Sequence, residues 1–402
     1  MYCVQKMKDD LYYVGGSDRR LALFENIYPI PRGVSYNAYV VRDEKTVLLD
    51  TVDQSVAPLF FENLTHVLGS RGLDYIIVNH MEPDHSATLK ETMQRYPFAK
   101  VVCNAKTLPM IRQFFGKVDD DRVVIVKEGD ELCTGRHTFT FVMAPMVHWP
   151  EAMVTFDKTD GVLYSADAFG TFGALSGNLY ADEVNFERDW LDDARRYYVN
   201  IVGKYGIQVQ VLLKKAGTLP ITMICPLHGP VWRENLGWFL EKYDRWSRYE
   251  PEEKGVVIAC ASIYGDTELA CQILGTMLSE RGVKDIALYD LSSTDVSVVL
   301  SESFRRSHLV LAASSYNGGV FTPMENLLND LKAHNFQNRT VAVLENGTWA
   351  PSAGKCIRAA LEGMKNLQVL DGLTVRSALQ DDQLPALEAL ADAIAASLRE
   401  EA

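Results

Sequence analysis

The 402-residue chain has no Cys-x-x-Cys pair, no excess of basic residues and no apolar run long enough to cross a bilayer. Its 7 cysteines are scattered and odd in number, which excludes a recognisable disulfide framework, iron–sulfur motif or four-cysteine iron centre. A net charge of −13 argues against a nucleic-acid-binding protein. The N-terminal segment lacks the apolar core of a secretory signal, so we expect a cytoplasmic protein that binds neither membrane nor nucleic acid.

The first part of the chain mixes short strands with helical patterns. Between residues 34 and 225, strand-like runs such as TVLLD, DYIIVNH and TFTFVMAP recur, and helical periodicity is found at 57–68, 86–95 and 190–215. This mixture predicts an α+β sandwich of layer order αββα over residues 1–250. A helical stretch at 236–249 leads into the charged segment EPEEKG, whose proline and glycine indicate a linker.

The second part of the chain is regular. From residue 255 onward, strand-like runs alternate with helical patterns; the runs are GVVIACAS, IALYDLS, HLVLAASS, TVAVLENG and LQVLDG. Strands that alternate with helices form a parallel sheet covered on both faces. The sequence therefore predicts a doubly wound, five-stranded α/β domain over residues 255–402, and two domains in the whole chain.

The strongest chemical signal is a cluster of potential metal ligands directly after the run DYIIVN. Four candidates share one predicted strand-to-helix turn: His80, Glu82, Asp84 and His85. In that position they can converge on one or two metal ions. Three further candidates each follow an apolar strand: His148, Asp167 and His228. A lone residue of this kind is more often a cap or a core hydrogen-bond partner, but the complete set favours a metal centre.

The order His-x-Glu-x-Asp-His, followed by His, Asp and His, resembles the metallo-β-lactamase superfamily. Most hydrolases of that superfamily have a second histidine where this chain has Glu82. The Glu form, with the segments that begin at His148 and Asp167, resembles the flavodiiron proteins (A-type flavoproteins). Three carboxylates among the ligands also give a hard, negative site that suits iron. The resemblance implies two iron ions per chain, one held by His80, Glu82 and His148, the other by Asp84, His85 and His228, with Asp167 as a bridge.

A second signal lies in three loops that follow strands of the C-terminal domain. The first opens a predicted helix, so its backbone N–H groups and hydroxyls can form a phosphate cradle; it reads Ser262-Ile263-Tyr264-Gly265-Asp266-Thr267. No lysine lies in this loop, which argues against a nucleoside triphosphate site. The other two follow later strands at the same end of the sheet; they read Ser314-Ser315-Tyr316-Asn317-Gly318-Gly319 and Asn346-Gly347-Thr348-Trp349.

The three loops together resemble flavodoxin, which implies bound FMN. Trp349 or Tyr316 can stack on its flat ring. A metal domain followed by a flavodoxin-like domain matches the flavodiiron arrangement over essentially the whole chain. The resemblance implies an oxidoreductase: an external donor such as a rubredoxin reduces FMN, FMN reduces the irons, and dioxygen is reduced to water or nitric oxide to nitrous oxide.

Second-sphere residues are predicted to supply protons or to shape the gas pocket. The candidates are Tyr197 and Tyr198, after the bridging acid, and Phe24, where some family members have a histidine. Ordinary core packing is the alternative for each. Three other functions stay open: a zinc hydrolase with an accessory flavodoxin domain, an oxidase of reduced deazaflavin with the same diiron chemistry, and an electron carrier whose metal domain is structural.

The predicted helix near 236–249 also bears on assembly. A helix of about fourteen residues spans roughly 20 Å, which predicts that the FMN and the irons of one chain lie too far apart for rapid electron transfer. The flavodiiron family solves this with a head-to-tail homodimer, in which each FMN faces the partner's irons. We therefore expect a homodimer or a dimer of dimers.

Overall fold

The computed structural model describes residues 1–400 and confirms the predicted combination of an α+β sandwich with a doubly wound α/β domain. The chain divides into two units, Met1–Asp244 and a second that starts at Arg245. The predicted limits of 250 and 255 stay a prediction, but the linker interpretation needs correction. Glu253 to Gly255 belong to a strand, Glu253–Ala261, and Gly255 packs so closely on Asp285 that a Cβ would lie 2.5 Å from a carboxylate oxygen.

The first unit is built around two sheets. Its strands are β1 (Gln5–Lys6), β2 (Leu11–Tyr13), β3 (Gly16–Asp18), β4 (Leu23–Phe24), β5 (Tyr28–Pro29), β6 (Val34–Tyr36), β7 (Tyr39–Arg42), β8 (Thr46–Leu49), β9 (Tyr75–Ile77), β10 (Lys100–Asn104), β11 (Val123–Val126), β12 (Glu131–Cys133), β13 (Thr138–Met143), β14 (Met153–Asp157), β15 (Val162–Tyr164) and β16 (Met223–Cys225). The large sheet has the order β1-β2-β7-β8-β9-β10-β11, and the smaller one has the order β12-β13-β14-β15-β16.

The helices of this unit cover the sheets. They are α1 (Ala57–Leu68), α2 (Pro83–Ser86), α3 (Leu89–Arg95), α4 (Thr107–Phe115), α5 (Phe186–Asp189), α6 (Leu191–Tyr197), α7 (Gly206–Ala216) and α8 (Leu236–Ser247), which continues past the unit boundary. Short 3-10 helices lie at Gln54–Val56, Asp120–Arg122, Ala181–Glu183 and Gly203–Tyr205. The helix predicted at 190–215 is broken by a π-helical turn, Tyr198–Val202, and by Gly203 and Gly206, since glycine is a poor helix former.

One apolar core joins the two sheets. Side chains alternate between the faces of a strand, so Val47 and Leu49 of β8 enter this core, where they join Phe139 and Phe141 of β13. All four are fully buried. The sandwich therefore fixes the carboxyl ends of strands from both sheets relative to each other.

The second unit has the strand order of a flavodoxin-like domain. Its strands are β17 (Glu253–Ala261), β18 (Ile286–Asp290), β19 (Arg306–Tyr316), β20 (Gly319–Val320), β21 (Arg339–Asn346), β22 (Leu367–Val369) and β23 (Leu373–Val375). The main path is β18-β17-β19-β21-β22, which is the doubly wound order 2-1-3-4-5. The five predicted strands are all present, and β20 and β23 add short pairs to β19 and β21.

Helices flank this parallel sheet: α9 (Asp266–Glu280), α10 (Val296–Arg305), α11 (Thr322–Ala333), α12 (Ala353–Leu361) and α13 (Leu384–Glu400). A 3-10 helix precedes the last of them at Asp381–Gln383. Ile258 of β17, Leu274 of α9 and Leu390 of α13 share one buried core. Within residues 1–400, no helix combines the length and the apolar character that a membrane span requires.

Candidate functional site

Four loops of the first unit, each after the carboxyl end of a strand, bring the seven predicted metal ligands together. The loop after β9 contributes four, and the loops after β13, β15 and β16 contribute one each: His80, Glu82, Asp84 and His85, then His148, Asp167 and His228. None of these side chains is more than 14% exposed. Because the loops come from both sheets, the sandwich itself assembles the set.

The first group of donor atoms lies around Glu82. Its Oε2 is 3.2 Å from Nε2 of His80 and 2.9 Å from Nε2 of His148. Oδ2 of Asp167 faces the same two nitrogens, at 3.1 and 3.2 Å. Four donor atoms thus enclose one point, which is the arrangement of ligands around a single metal ion.

The second group lies around Asp84. Its Oδ2 is 3.2 Å from Nε2 of both His85 and His228. Oδ1 of Asp167 lies 3.0 Å from the first of these nitrogens and 3.5 Å from the second. The two oxygens of Asp167 therefore face different groups, which is the placement that a bridging carboxylate requires.

A tight turn after β15 presents Asp167 to both groups. Ala166 before it has a φ of 52°, in the left-handed region, and the amide of Gly170 donates to the carbonyl of Asp167. Burial alone would raise the pKa of Asp167, but the adjacent His80 and His85 hold it well below its usual value. This carboxylate is therefore ionised and available as a ligand.

The donor set fits metal ions better than it fits a self-contained hydrogen-bond network. Among the described residues, both oxygens of Asp84 and Nδ1 of His85 are buried without a hydrogen-bond partner. A buried carboxylate is costly unless something compensates its charge. Metal–ligand bonds of roughly 2.1 Å at right angles separate neighbouring ligand atoms by roughly 3 Å, and the distances between donor atoms in the first group, 2.9 to 3.2 Å, have this size.

The loop that carries four of the ligands is held by Asp50, a residue that sequence reasoning missed. Asp50 follows β8 and accepts hydrogen bonds from the backbone and side-chain amides of Asn79, both at 2.7 Å, and from the amide of His80 at 3.3 Å. Burial raises the pKa of Asp50 to about 6, and the bonds from Asn79 oppose this. The signal was present in the sequence, since TVLLD is also an apolar strand that ends in an acid.

The groups behind the histidine rings were missed as well. Nδ1 of His80 lies 2.9 Å from Oε1 of Glu151, and Nδ1 of His228 lies 2.7 Å from the carbonyl oxygen of Ser35. With Nδ1 engaged in this way, Nε2 of each ring points to the metal groups. Nothing in the sequence predicts these contacts, since they join residues far apart in the chain.

The three predicted second-sphere residues lie in different surroundings. The rings of Phe24 and Tyr197 each have their centre 5.4 Å from that of His228, so both border the second metal group. Burial and the negative charges of Asp167 and Asp84 hold the pKa of Tyr197 well above its usual value. Tyr198 instead packs its ring against Tyr243 at 4.8 Å.

In the second unit, the three predicted loops line one cavity of about 290 Å³. The predicted residues that line it are Ser262, Ile263, Tyr264, Asp266, Thr267, Ser314, Ser315, Tyr316, Asn317, Gly318, Asn346, Gly347, Thr348 and Trp349. Two predicted residues, Gly265 and Gly319, are not among them. Ala350, Ser352 and Ser377 line the cavity without having been predicted, the last because it lies beyond β23, far from the three motifs.

The cavity suits a ligand that has a flat, uncharged ring at one end and an anionic group at the other. Gly265 starts α9 with a φ of 98° and has no side chain to cap the helix, so the first N–H groups of α9 stay open to a phosphate. Oγ1 of Thr267 and Oγ of Ser314 lie 2.9 Å apart at this end. At Gly347 a Cβ would lie 2.8 Å from Pro351, so only glycine fits the loop. Trp349 is 91% exposed on the rim and free to cover a ring.

Another group of His and Asp side chains has a structural role. His137 is buried between Asp157, 2.7 Å from its Nδ1, and Asp10, 2.9 Å from its Nε2. Arg136 forms ion pairs with Asp10 and Asp160. Burial alone would lower the pKa of His137, but the two carboxylates raise it to about 9. The cluster is thus an ion-pair network that ties β2 to the turn between β12 and β13.

The fold and the two sites define a metallo-β-lactamase-like metal domain followed by a flavodoxin-like domain. Comparison with known proteins gives the same result. The family model described as ODP family beta lactamase matches residues 34–229. The structure superimposes on rubredoxin oxygen:oxidoreductase from Desulfovibrio gigas with a TM-score of 0.93, at 26% identity and 99% coverage of both chains.

Two further relatives point the same way. A mutant of the flavodiiron protein of Thermotoga maritima matches with a TM-score of 0.90, at 26% identity over 98% of each chain. The anaerobic nitric oxide reductase flavorubredoxin of Vibrio vulnificus is 29% identical over 365 residues, which are 88% of this chain and 72% of that protein. Over nearly its whole length the chain is therefore similar to flavodiiron proteins, and like these homologues it is an oxidoreductase. The similarity implies FMN and a diiron centre as cofactors.

Proposed function

We propose that the chain reduces dioxygen to water, nitric oxide to nitrous oxide, or both, with electrons that pass from an external donor through FMN to two irons. The observation that carries this proposal is the placement of Asp167, whose two oxygens face two separate groups of donor atoms. The names of the relatives support gas reduction as the reaction class, since one is an oxygen:oxidoreductase and another a nitric oxide reductase.

The first group would hold one iron through His80, Glu82 and His148, and the second would hold the other through Asp84, His85 and His228. When bound, the irons would supply open positions for a small gas and the electrons for its reduction. The carboxylates keep the site negative, which favours hard cations and offsets the charge of two ferrous ions. Glu82 replaces the histidine of the hydrolases and so favours iron over zinc.

Residues around the second group would shape the gas pocket. Phe24 and Tyr197 form an aromatic wall beside His228, so that a small neutral molecule enters more easily than a charged one. The hydroxyl of Tyr197 is the hydrogen-bond donor of this wall; because its pKa is raised, it would orient a bound molecule and keep its own proton. Tyr198 would act through its packing against Tyr243.

In the second unit, FMN would bind with its phosphate at residues 262–267 and its ring beneath Trp349. The uncapped N–H groups at the start of α9 and the hydroxyls of Thr267 and Ser314 meet the requirements of a phosphate. The electrons would come from an external donor such as a rubredoxin.

We also propose that the working form is a head-to-tail homodimer or a dimer of dimers. Exposed apolar side chains surround both sites: Tyr264 and Trp349 at the cavity of the second unit, and Leu23 and Ile27 beside Phe24 in the first. Exposed apolar groups around a functional site are typical of a contact surface. In such a dimer the FMN of one chain would reduce the irons of its partner.

The decisive experiment separates the two gases. The iron- and FMN-loaded protein is reduced anaerobically and then mixed with dioxygen or with nitric oxide, and the two reoxidation rates are compared. Reoxidation by at least one gas, repeated over many turnovers per chain when an electron donor is supplied in excess, supports the proposal. A zinc-containing protein that hydrolyses esters or lactams, and that stays reduced under both gases after iron loading, would refute it.

A further inference from the structure

A buried carboxylate fixes the ring of His80 from behind. Oε1 of Glu151 lies 2.9 Å from Nδ1 of His80, and the amide of Met81 donates to the same oxygen at 2.9 Å. Glu151 is only 1% exposed, and its Oε2 has no hydrogen-bond partner among the described residues. The carboxylate therefore points one oxygen at the ring of His80 and at the adjacent backbone amide.

The two rings of the second group are held by weaker partners. The carbonyl of Ser35 accepts the hydrogen bond from Nδ1 of His228, and Nδ1 of His85 has no partner among the described residues. When a carboxylate accepts the hydrogen bond from Nδ1, Nε2 of the same ring is a stronger metal ligand than when a carbonyl accepts it. The reason is that the negative charge of the carboxylate stabilises positive charge on the ring and the metal. The two metal groups are thus unequal, and the difference arises outside the seven ligands.

Glu151 also connects two of the three loops that supply the first group. It lies in the same loop as His148, and its carbonyl accepts a hydrogen bond of 2.6 Å from the side chain of Asn104 at the end of β10. Its side chain then reaches the loop after β9, through the amide of Met81 and the ring of His80. A change at Glu151 therefore acts on the first metal group and leaves the contacts of the second in place.

We infer that Glu151 is a positioning residue that holds His80 with its proton on Nδ1, aims Nε2 at the first metal and makes this the tighter of the two metal positions. The inference rests on the proposed function, because it requires two metal positions. Its basis is geometric: one buried carboxylate, one imidazole and a distance of 2.9 Å.

The test is a titration of the metal-free full chain with Co(II), whose visible absorption reports each ligation step. In the Glu151→Gln variant, which keeps the shape of the side chain but not its charge, one of two equivalents should bind roughly 10- to 100-fold more weakly, and the other should keep its affinity. In the iron-loaded protein, the first reduction step should move to a higher potential, since loss of a negative charge disfavours the ferric state. The matched control is Asn104→Ala, which loosens the same loop without touching His80 and should show neither effect.

The outcomes separate this inference from the proposed function. A parent protein that takes up fewer than two equivalents refutes the diiron proposal itself. A parent with two equivalents whose Glu151→Gln variant loses affinity for neither, or equally for both, refutes only the role of Glu151, as does an Asn104→Ala variant with the same selective loss. If circular dichroism shows that Glu151→Gln does not fold, Glu151→Asp is tested in its place. This variant moves the carboxylate away from His80 by one methylene and should weaken the binding of the same single equivalent. Unchanged binding in Glu151→Asp would overturn the inference.

Discussion

Replacing Thr267 by glutamate should expel FMN while it leaves the metal site intact. Thr267 is 1% exposed, and its hydroxyl lies 2.9 Å from that of Ser314 at the proposed phosphate end of the cavity. A glutamate at this position would place its carboxylate about 4 Å from the phosphate. Two unit charges at that distance repel each other by roughly 4 kcal/mol at an effective dielectric of about 20, which corresponds to a loss of roughly 1000-fold in affinity.

The assay titrates FMN with apoprotein and measures binding through the quenching of flavin fluorescence. Thr267→Val removes only the hydroxyl and should weaken binding by roughly 1 kcal/mol, or about fivefold. Thr276→Glu adds the same charge on an exposed position of α9, away from the cavity, and should bind FMN like the parent. If Thr267→Glu binds FMN within threefold of the parent, the phosphate does not lie at residues 262–267.

Three further predictions test the other parts of the proposal. Asp167→Ala should lower the metal content and abolish gas reduction but leave FMN bound, because it removes donor atoms from both groups at once. Metal analysis measures the first effect, and the flavin spectrum shows whether FMN stays bound. A full complement of iron in this variant would contradict the bridging role. The pKa of His137 is raised to about 9 in the folded chain, so its contribution to stability is complete below pH ~6.5 and is lost as the pH rises through about 9; this contribution is at most roughly 3 kcal/mol. Denaturant unfolding should therefore show that the parent loses more stability than His137→Gln between pH 6.5 and 9.5, whereas parallel losses would mean that Asp157 and its neighbours do not stabilise the imidazolium. For the dimer, a heterodimer of a His148→Ala chain with a Thr267→Glu chain, purified by two tags, should regain about half of the parent activity, because one FMN–iron pair stays intact between the chains; a heterodimer as inactive as either mutant would mean that electrons travel within one chain.

The two cofactor motifs could be predicted from the sequence because the residues of each lie close together in the chain. The ligands His80 to His85 lie on one turn, and the loop of residues 262–267 joins one strand to one helix. The spacing of the residues in the sequence was therefore enough to predict a metal site and a phosphate site. The helix at Ala57–Leu68 was predicted at its observed limits, since its apolar positions repeat with the helical period and a proline opens it.

Predictions failed where a distant part of the chain decides the local structure. The segment at 253–255 was predicted as part of a linker because it is charged and is flanked by a proline and a glycine, yet it extends β17, where Glu253 pairs with Arg306 in the neighbouring strand. The helix expected at 190–215 contains a π-helical turn, and every residue of that turn is buried. In both places tertiary packing outweighs the local preference of the residues.

The sequence by itself determined which residue types occur at strand ends, and with them the seven candidate ligands, the phosphate loop and the order of the two domains. Only the tertiary structure decided how these residues are used. It placed the two oxygens of Asp167 against two groups of donor atoms, set Glu151 behind His80, and packed Tyr198 against Tyr243. The physical reason is that a ligand's type is a local property of the chain, whereas distance, burial and the charge behind a ring arise only when two sheets pack together.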